Sequence, residues 1–426
     1  MVFDLLTPQR SHKCHHVPSN SDCTFGCNNP GNTDELRKLY LDRHNLLRYR
    51  VAQGKEAFSQ GKAKNMYKLE WNCELENMAQ SHIESCNGDY ESHQSYGRNL
   101  KWFTALYLDG RYEKFIPREE IKETLDAWRS EIDSYGVGAD NTFTDLGYYS
   151  FANMVYSKST QIGCAHKDCG TALQVYCLYD RIGAFFDRPM WRTGRPCKNN
   201  NECTVFPGSS CEKGLCVKPK EEPDDGKNTM CQDSEGMTDA VRMKFLDMHN
   251  FYRSQVALGR AADRLATGGK APKASKMQKL EYSCRLEKSA MDYANYCTFV
   301  HSYLPDIGEN LYRFSIPNFD KLKLASMATE EWFEELEDNG IGDENILTSQ
   351  LFSSARIGHY TQMVWQNTKQ LGCAVQHCHD MTFVVCHYSN QGNIFDERIY
   401  AKGKPCSQCD RDESCNPDEG LCYRVV

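Results

Sequence analysis

TDELRKLYLDRHNLLRYRVAQGK, Thr33 to Lys55, returns later in the chain as TDAVRMKFLDMHNFYRSQVALGR, Thr238 to Arg260. In the first copy Leu36, Leu39, Tyr40, Leu47 and Val51 recur at helical spacing, Thr33 is placed to cap the first turn, and Asp34 and Glu35 complement the positive end of a helix dipole. The spacing therefore predicts a helix opening each copy. Outward from it the match continues: AKNMYKLEWNCELENMAQSHIESC, ending at Cys86, corresponds to ASKMQKLEYSCRLEKSAMDYANYC, ending at Cys297. Gly97-Arg98-Asn99-Leu100 then faces Gly308-Glu309-Asn310-Leu311, Trp128 faces Trp332, and Ile162-Gly163-Cys164-Ala165 faces Leu371-Gly372-Cys373-Ala374. The chain is a tandem repeat of one domain. Leu75–Ile83 and Met327–Leu336 read as further helices, whereas ALQVYCLY (Ala172 to Tyr179) and TFVVCHY (Thr382 to Tyr388) are β-branched and aromatic and read as strands. Helices early and strands late in each copy predict an α+β fold, with helices on the faces of a small central sheet.

Each copy ends in Gly-Arg/Lys-Pro-Cys (Cys197, Cys406) and a short four-cysteine stretch without regular hydrophobic periodicity, which needs covalent staples to hold a shape. Of the 22 cysteines, twelve precede Lys218 and ten begin at Cys231. Even counts on both sides favour pairing within each half, and so many thiols point to an oxidising compartment. The competing reading is a zinc knuckle at Cys406-Ser-Gln-Cys409. Between the copies, VKPKEEPDDGKNTM (Val217 to Met230) is polar and charged enough for an extended tether. The resulting boundaries are an N-terminal extension at 1–26, a first domain at 27–189, a cysteine-rich hinge at 190–216, a linker at 217–230, a second domain at 231–400 and a C-terminal cysteine-rich segment at 401–426.

Composition excludes several classes. The 426 residues exceed one ordinary core of roughly 150 residues. Fifty basic against 58 acidic residues leave a net charge of −8, which provides no footprint for nucleic acid. No apolar run approaches the roughly 18 residues of a membrane span. The opening MVFDLLTPQR has neither the basic start nor the apolar run of a signal peptide, so any leader is expected to be already removed. No Asn-x-Ser/Thr acceptor occurs.

Gly358-His359-Tyr360-Thr361-Gln362-Met363-Val364-Trp365, followed by Phe383-Val384-Val385-Cys386-His387-Tyr388 and Gly392-Asn393, resembles the paired signatures of the CAP superfamily of cysteine-rich secretory proteins. His301-Ser302 and Gly308-Glu309-Asn310-Leu311 match its central motifs. The tandem arrangement with cysteine-rich tails is similar to the two-domain activation-associated secreted proteins of parasitic nematodes. The resemblance implies tandem α-β-α sandwiches, secretion to the extracellular space and a role at the interface with a host. It also implies an open cleft with two histidines and two acids, which in the second copy are His301, Glu309, Glu335 and His359. Two imidazoles with carboxylates suit zinc in this domain, with positions left for water; no organic cofactor is expected.

The first copy serves as an internal control. Tyr90 stands four after Cys86 as His301 stands four after Cys297, Arg98 replaces Glu309, Glu131 keeps the position of Glu335, and Ser150 replaces His359. A guanidinium repels a cation, so the first domain is expected to lack the site and to work as a surface or scaffold; the alternative is that His93 nearby substitutes for one ligand. Against metal binding stands the plainer reading of a hydrogen-bonded polar cluster. His44 and His249 read as structural. Trp102, Phe103 and Tyr107 are candidates for a lipid groove or for ordinary core packing.

No His-Glu-x-x-His, Gly-x-Ser-x-Gly or Gly-x-Gly-x-x-Gly occurs. The favoured function is a non-enzymatic secreted protein that binds host proteins or apolar ligands such as sterols or fatty acids. The alternative is a metal-dependent hydrolase with zinc-activated water and Glu335 as general base. A chain of two large repeats is also open to homodimerisation.

Overall fold

The computed structural model describes residues 25–424 apart from 59–60, 88–94, 106, 109–110, 113, 233 and 235. The chain divides between Pro219 and Lys220 into two compact units of one design. The first contains α1 (Asp34–Ala52), β1 (Glu70–Trp71), α2 (Cys73–Ile83), β2 (Gly97–Thr104), α3 (Pro117–Tyr135), α4 (Tyr149–Val155), β3 (Gln161–Asp168) and β4 (Ala172–Tyr179). The second contains α5 (Asp239–Ala257), β5 (Glu281–Tyr282), α6 (Cys284–Ala294), β6 (Gly308–Phe314), α7 (Lys321–Asp338), α8 (Ser349–Ser354), α9 (Gly358–Val364), β7 (Gln370–His377) and β8 (Thr382–Ser389). The sheets run β1-β3-β4-β2 and β5-β7-β8-β6, antiparallel except at the short edge strands β1 and β5.

Strand alternation builds three layers. In the second unit Leu371, Cys373, Val375, Val384, Cys386 and Tyr388 face the helices α5, α7 and α9, while Leu311, Ala374, Phe383 and Val385 face α6. The first unit repeats this with Ile162, Cys164, Val175 and Cys177 on one face and Ala165, Tyr176 and Leu178 against α2 on the other. The expected α-β-α sandwich is what forms, twice. The outer helix lies so close to the sheet that a Cβ on Gly163 would meet the Glu76 amide nitrogen at 2.2 Å, and one on Gly372 the Glu287 nitrogen at 2.2 Å.

Polar devices inside the core are duplicated as well. Thr33 and Thr238 cap α1 and α5 by accepting from Leu36 and Val241 N–H, both at 3.3 Å. Arg48 is fully buried and donates to the carbonyls of Tyr67, Met154, Tyr156, Ser157 and Ser159. Arg253 does the same for Gln278, Met363, Trp365 and Thr368. Each guanidinium thus spends its donors on loop carbonyls and on a carbonyl at the end of a short helix, Met154 or Met363, that would otherwise be buried unpaired. Buried pairs Arg37–Glu76 and Arg242–Glu287 tie the first helix to the helix across the sheet edge.

Ten disulfides, among the described residues, close within their own unit. In the first they are Cys27–Cys73, Cys86–Cys169, Cys164–Cys177, Cys197–Cys211 and Cys203–Cys216. In the second they are Cys231–Cys284, Cys297–Cys378, Cys373–Cys386, Cys406–Cys415 and Cys409–Cys422. Cys14 and Cys23 lie outside the described residues. The knuckle reading of Cys406 and Cys409 is corrected: both sulfurs are in bridges, as are those of the sulfur clusters Cys197/Cys203/Cys216 and Cys409/Cys422, so no thiolate is left to ligate zinc.

The cysteine-rich tails are docked rather than free. Cys216 N–H donates to Met66 O at 2.8 Å and Lys68 N–H to Cys216 O at 2.7 Å, and Cys422 makes the same exchange with Met277 and Lys279, both at 2.8 Å. Residues 218–229 carry no helix or strand. The second half of this stretch is nonetheless anchored to α5: Asp239 accepts from the Thr229 and Met230 amides, and Arg242 donates to Asn228 Oδ1. The expected linker at 217–230 is thus bonded to α5 from Glu221 onward: Lys244 donates to Glu221 at 2.9 Å, and the Asp224 carboxylate accepts from the Thr238 hydroxyl.

Candidate functional site

The cleft residues come from four elements, and the structure brings them together in pairs. His301, in the loop after α6, donates from Nδ1 to Glu309 Oε1 at 2.8 Å, and Ser302 N–H donates to the same oxygen at 2.8 Å. Glu309 opens β6, with its side chain only 6% exposed, while His301 is 49% exposed. His359, in the first turn of α9, places Nδ1 2.6 Å from Glu335 Oε1 on α7. Its ring stacks on Trp332 with centroids 5.9 Å apart, and Asn310, the neighbour of Glu309, donates to the His359 carbonyl at 3.1 Å. No three of the four residues place their ligand atoms all within 4.8 Å of one another. The carboxylates are accordingly partners of the imidazole Nδ1 atoms, and each histidine keeps Nε2 for something else.

Burial raises the Glu309 carboxyl, but donors on His301, His387 and Ser302 outweigh it and hold the group well below the usual carboxylate range. His387 is the residue that the motifs did not single out. It lies opposite Glu309 in the β6/β8 ladder, is fully buried, and donates from Nε2 to Glu309 Oε2 at 2.9 Å. A signal for it exists in the repeat: Cys386-His387-Tyr388 stands where the first copy has Cys177-Leu178-Tyr179.

The first unit shows what each position does without the cluster. Arg98 lies opposite Leu178 in the same register. Glu131 persists because it also holds a helix start. Its Oε2 accepts from Phe151 N–H at 3.0 Å at the beginning of α4, just as Glu335 Oε2 accepts from Tyr360 N–H at 2.9 Å at the beginning of α9. Burial pushes the Glu131 carboxyl up, and Ser150, standing for His359, hydrogen-bonds to it. Tyr90 and His93 lie outside the described residues.

His44 and His249 are structural, as expected. Nδ1 lies 2.7 Å from the carbonyl of Tyr40 or Phe245, and Nε2 lies 2.8 Å from the hydroxyl of Tyr179 or Tyr388. Burial lowers them to about 4 and about 3 respectively. The groove reading of the aromatics is corrected: adjacent strand residues face opposite ways, so Phe103 packs on the core while Trp102 is exposed. The side chain of Tyr107 lies outside the described residues.

The profile of the CAP family, described as the cysteine-rich secretory protein family, matches residues 41–179 and again 246–388. The chain belongs to the CAP family. Each match runs from within the opening helix of a sandwich into its last strand, so this is a two-domain CAP protein. It is 44% identical over 407 residues to Ancylostoma secreted protein of Ancylostoma caninum, covering 93% of this chain and 94% of that protein. The crystal structure of Na-ASP-1 superposes with a TM-score of 0.71 at 43% identity, covering 94% of this chain and 100% of that one. The crystal structure of NaASP2 with Zn2+ is 47% identical over 44% of this chain and 98% of its own, with a TM-score of 0.42. No helix among the described residues is long and apolar enough to cross a membrane.

Proposed function

We propose that this two-domain CAP protein acts outside the cell as a non-enzymatic binding protein, engaging host proteins or apolar ligands of sterol or fatty-acid type. Its second domain alone holds a divalent cation, zinc, at the Nε2 atoms of His301 and His359. The supporting observation is the occupied Nδ1 of each imidazole: a carboxylate on Nδ1–H fixes the tautomer that offers Nε2 as a ligand. Two neutral imidazoles fit zinc, which brings a local positive charge and coordination positions open to water or to a partner's side chain. In the first domain Tyr90 and Ser150 stand at the two imidazole positions and Arg98 at that of Glu309, which leaves no such pair.

The extracellular reading is supported by the disulfide density, which a reducing cytosol does not sustain. The segment after α6 that carries His301 also exposes Tyr296, Phe299, Val300, Tyr303 and Leu304, apolar surface suited to docking. Turnover is not part of the proposal. Glu335, the general base of a hydrolase reading, has one oxygen on His359 and the other on the Tyr360 amide, and it persists as Glu131 where the imidazoles are gone. Isothermal titration of zinc into the full-length chain should give one site per chain, absent in His359→Ala. Two equal sites, or an undiminished site in His359→Ala, would reject the assignment.

A further inference from the structure

The cross-strand pair Glu309/His387 is exchanged as a unit for Arg98/Leu178 between the two domains, at the same ladder position. A carboxylate that gains a buried imidazole in one copy, while both are absent from the other, marks two groups that act together. His387 sits in β8 with no exposed side-chain surface, Nε2 2.9 Å from Glu309 Oε2 and Nδ1 3.0 Å from the hydroxyl of Ser289 on α6. An ionised carboxylate only accepts, so Nε2 of His387 carries a proton toward Glu309. By the same rule His301 Nδ1–H donates to the other oxygen, Oε1, which also accepts from the Ser302 amide.

We propose that His387, braced by Ser289, is a positioning residue for the metal centre. It clamps Glu309 Oε2, so that Oε1 stays on the Nδ1–H of the half-exposed His301 and the lone pair of His301 Nε2 stays presented to a cation. This rests on the zinc reading of His301 and His359. Without the clamp, Glu309 keeps the donors from His301 and Ser302 but loses the one that is rigidly held inside the sheet. His301, on a loop, then samples other rotamers and the other tautomer. The Ser289–His387–Glu309 chain is not a nucleophile relay. Ser289 lies in the middle of α6, whose backbone N–H groups are spent inside the helix and so do not provide an oxyanion hole at its hydroxyl.

The first domain supplies the conservative test, because Leu178 is fully buried at the equivalent strand position of the same fold. In the full-length chain, His387→Leu should weaken zinc about 10–100-fold, the range for loss of an outer partner of a ligating histidine. His387→Gln, whose amide still donates to Glu309, should return affinity to within about 3-fold of wild type. The second readout needs no metal: in metal-free protein labelled with 15N-histidine, His301 should show a protonated Nδ1 and bare Nε2 in wild type and His387→Gln, and a mixed tautomer in His387→Leu. Unchanged zinc affinity and an unchanged His301 tautomer in His387→Leu would overturn the inference, as would equal loss in both variants. If wild type binds no zinc, the zinc reading fails, and the His301 tautomer alone then decides whether His387 positions it.

Discussion

The two domains share a sheet, a set of buried polar devices and a disulfide pattern, yet one carries Arg98 and Leu178 where the other carries Glu309 and His387. What they share is whatever the sandwich needs: a buried histidine pinned between a carbonyl and a tyrosine, a buried arginine collecting backbone carbonyls, and a glycine under the outer helix. What differs at the site lies on the loop position of His301, one helix turn and one cross-strand pair, where the sheet accepts either a charged network or an arginine beside a leucine. Duplication therefore separates scaffold from chemistry without an external reference. A glutamate present in both copies, Glu131 and Glu335, is scaffold first, and its hydrogen bond to a histidine in one copy is an addition.

The pinned histidines provide the largest expected effect in this comparison. His44 and His249 are fully buried, and burial lowers them from 6.5 to about 4 and about 3. The unfolded chain binds their protons below pH 6.5 while the folded chain does not, so stability is full above pH 6.5 and is lost as pH falls toward about 4 in the first domain and about 3 in the second. At about 1.4 kcal/mol per pKa unit this is on the order of 3 kcal/mol in the first domain and about 5 kcal/mol in the second. His44→Gln and His249→Gln should each flatten the acid limb of their own domain in urea unfolding followed between about pH 7 and 4. A limb unchanged in both would break the shared-scaffold account. Glu309 and Glu131 sharpen it further. The depressed Glu309 contributes stability above the ordinary carboxylate range that is lost as pH falls below it, whereas the raised Glu131 contributes stability at low pH that is lost as pH rises through its folded value.

A smaller effect is expected from the shared glutamate. Glu131→Gln and Glu335→Gln each weaken the bond to the first turn of a short helix and should cost about 1 kcal/mol in either domain, the usual scale for an N-terminal cap. Equal losses by thermal unfolding would confirm a common structural role. A loss confined to Glu335→Gln would make that residue specific to the second domain's histidine pairing.

Much of this is legible in the sequence. The repeat and the Thr33 cap define the first helix, the β-branched runs end up as β4 and β8, and even cysteine counts correspond to closure within each half. Other features are not. The knuckle spacing at Cys406 and Cys409 looks the same for zinc and for two crossed disulfides, because local spacing does not encode the third and fourth partners. The polar linker hides its anchoring to α5, since Asp239 and Arg242 read as ordinary surface charges until the loop folds back on them. His387 falls within a motif yet reads as part of a strand, because a buried strand position is taken as core unless the register pairs it with Glu309. The four cleft residues are legible as a set, but as one ligand shell, and their pairing into two histidine–carboxylate units depends on side-chain directions that spacing does not carry.

The most direct measurement of the central claim is anomalous diffraction at the zinc edge from crystals of the full-length protein grown with equimolar zinc. The account predicts one peak per chain, flanked by Nε2 of His301 and His359 at about 2.0–2.1 Å, with nothing beside Glu131 and Ser150. A peak at the first-domain position, or two imidazoles of the second domain that do not share an ion, would contradict it.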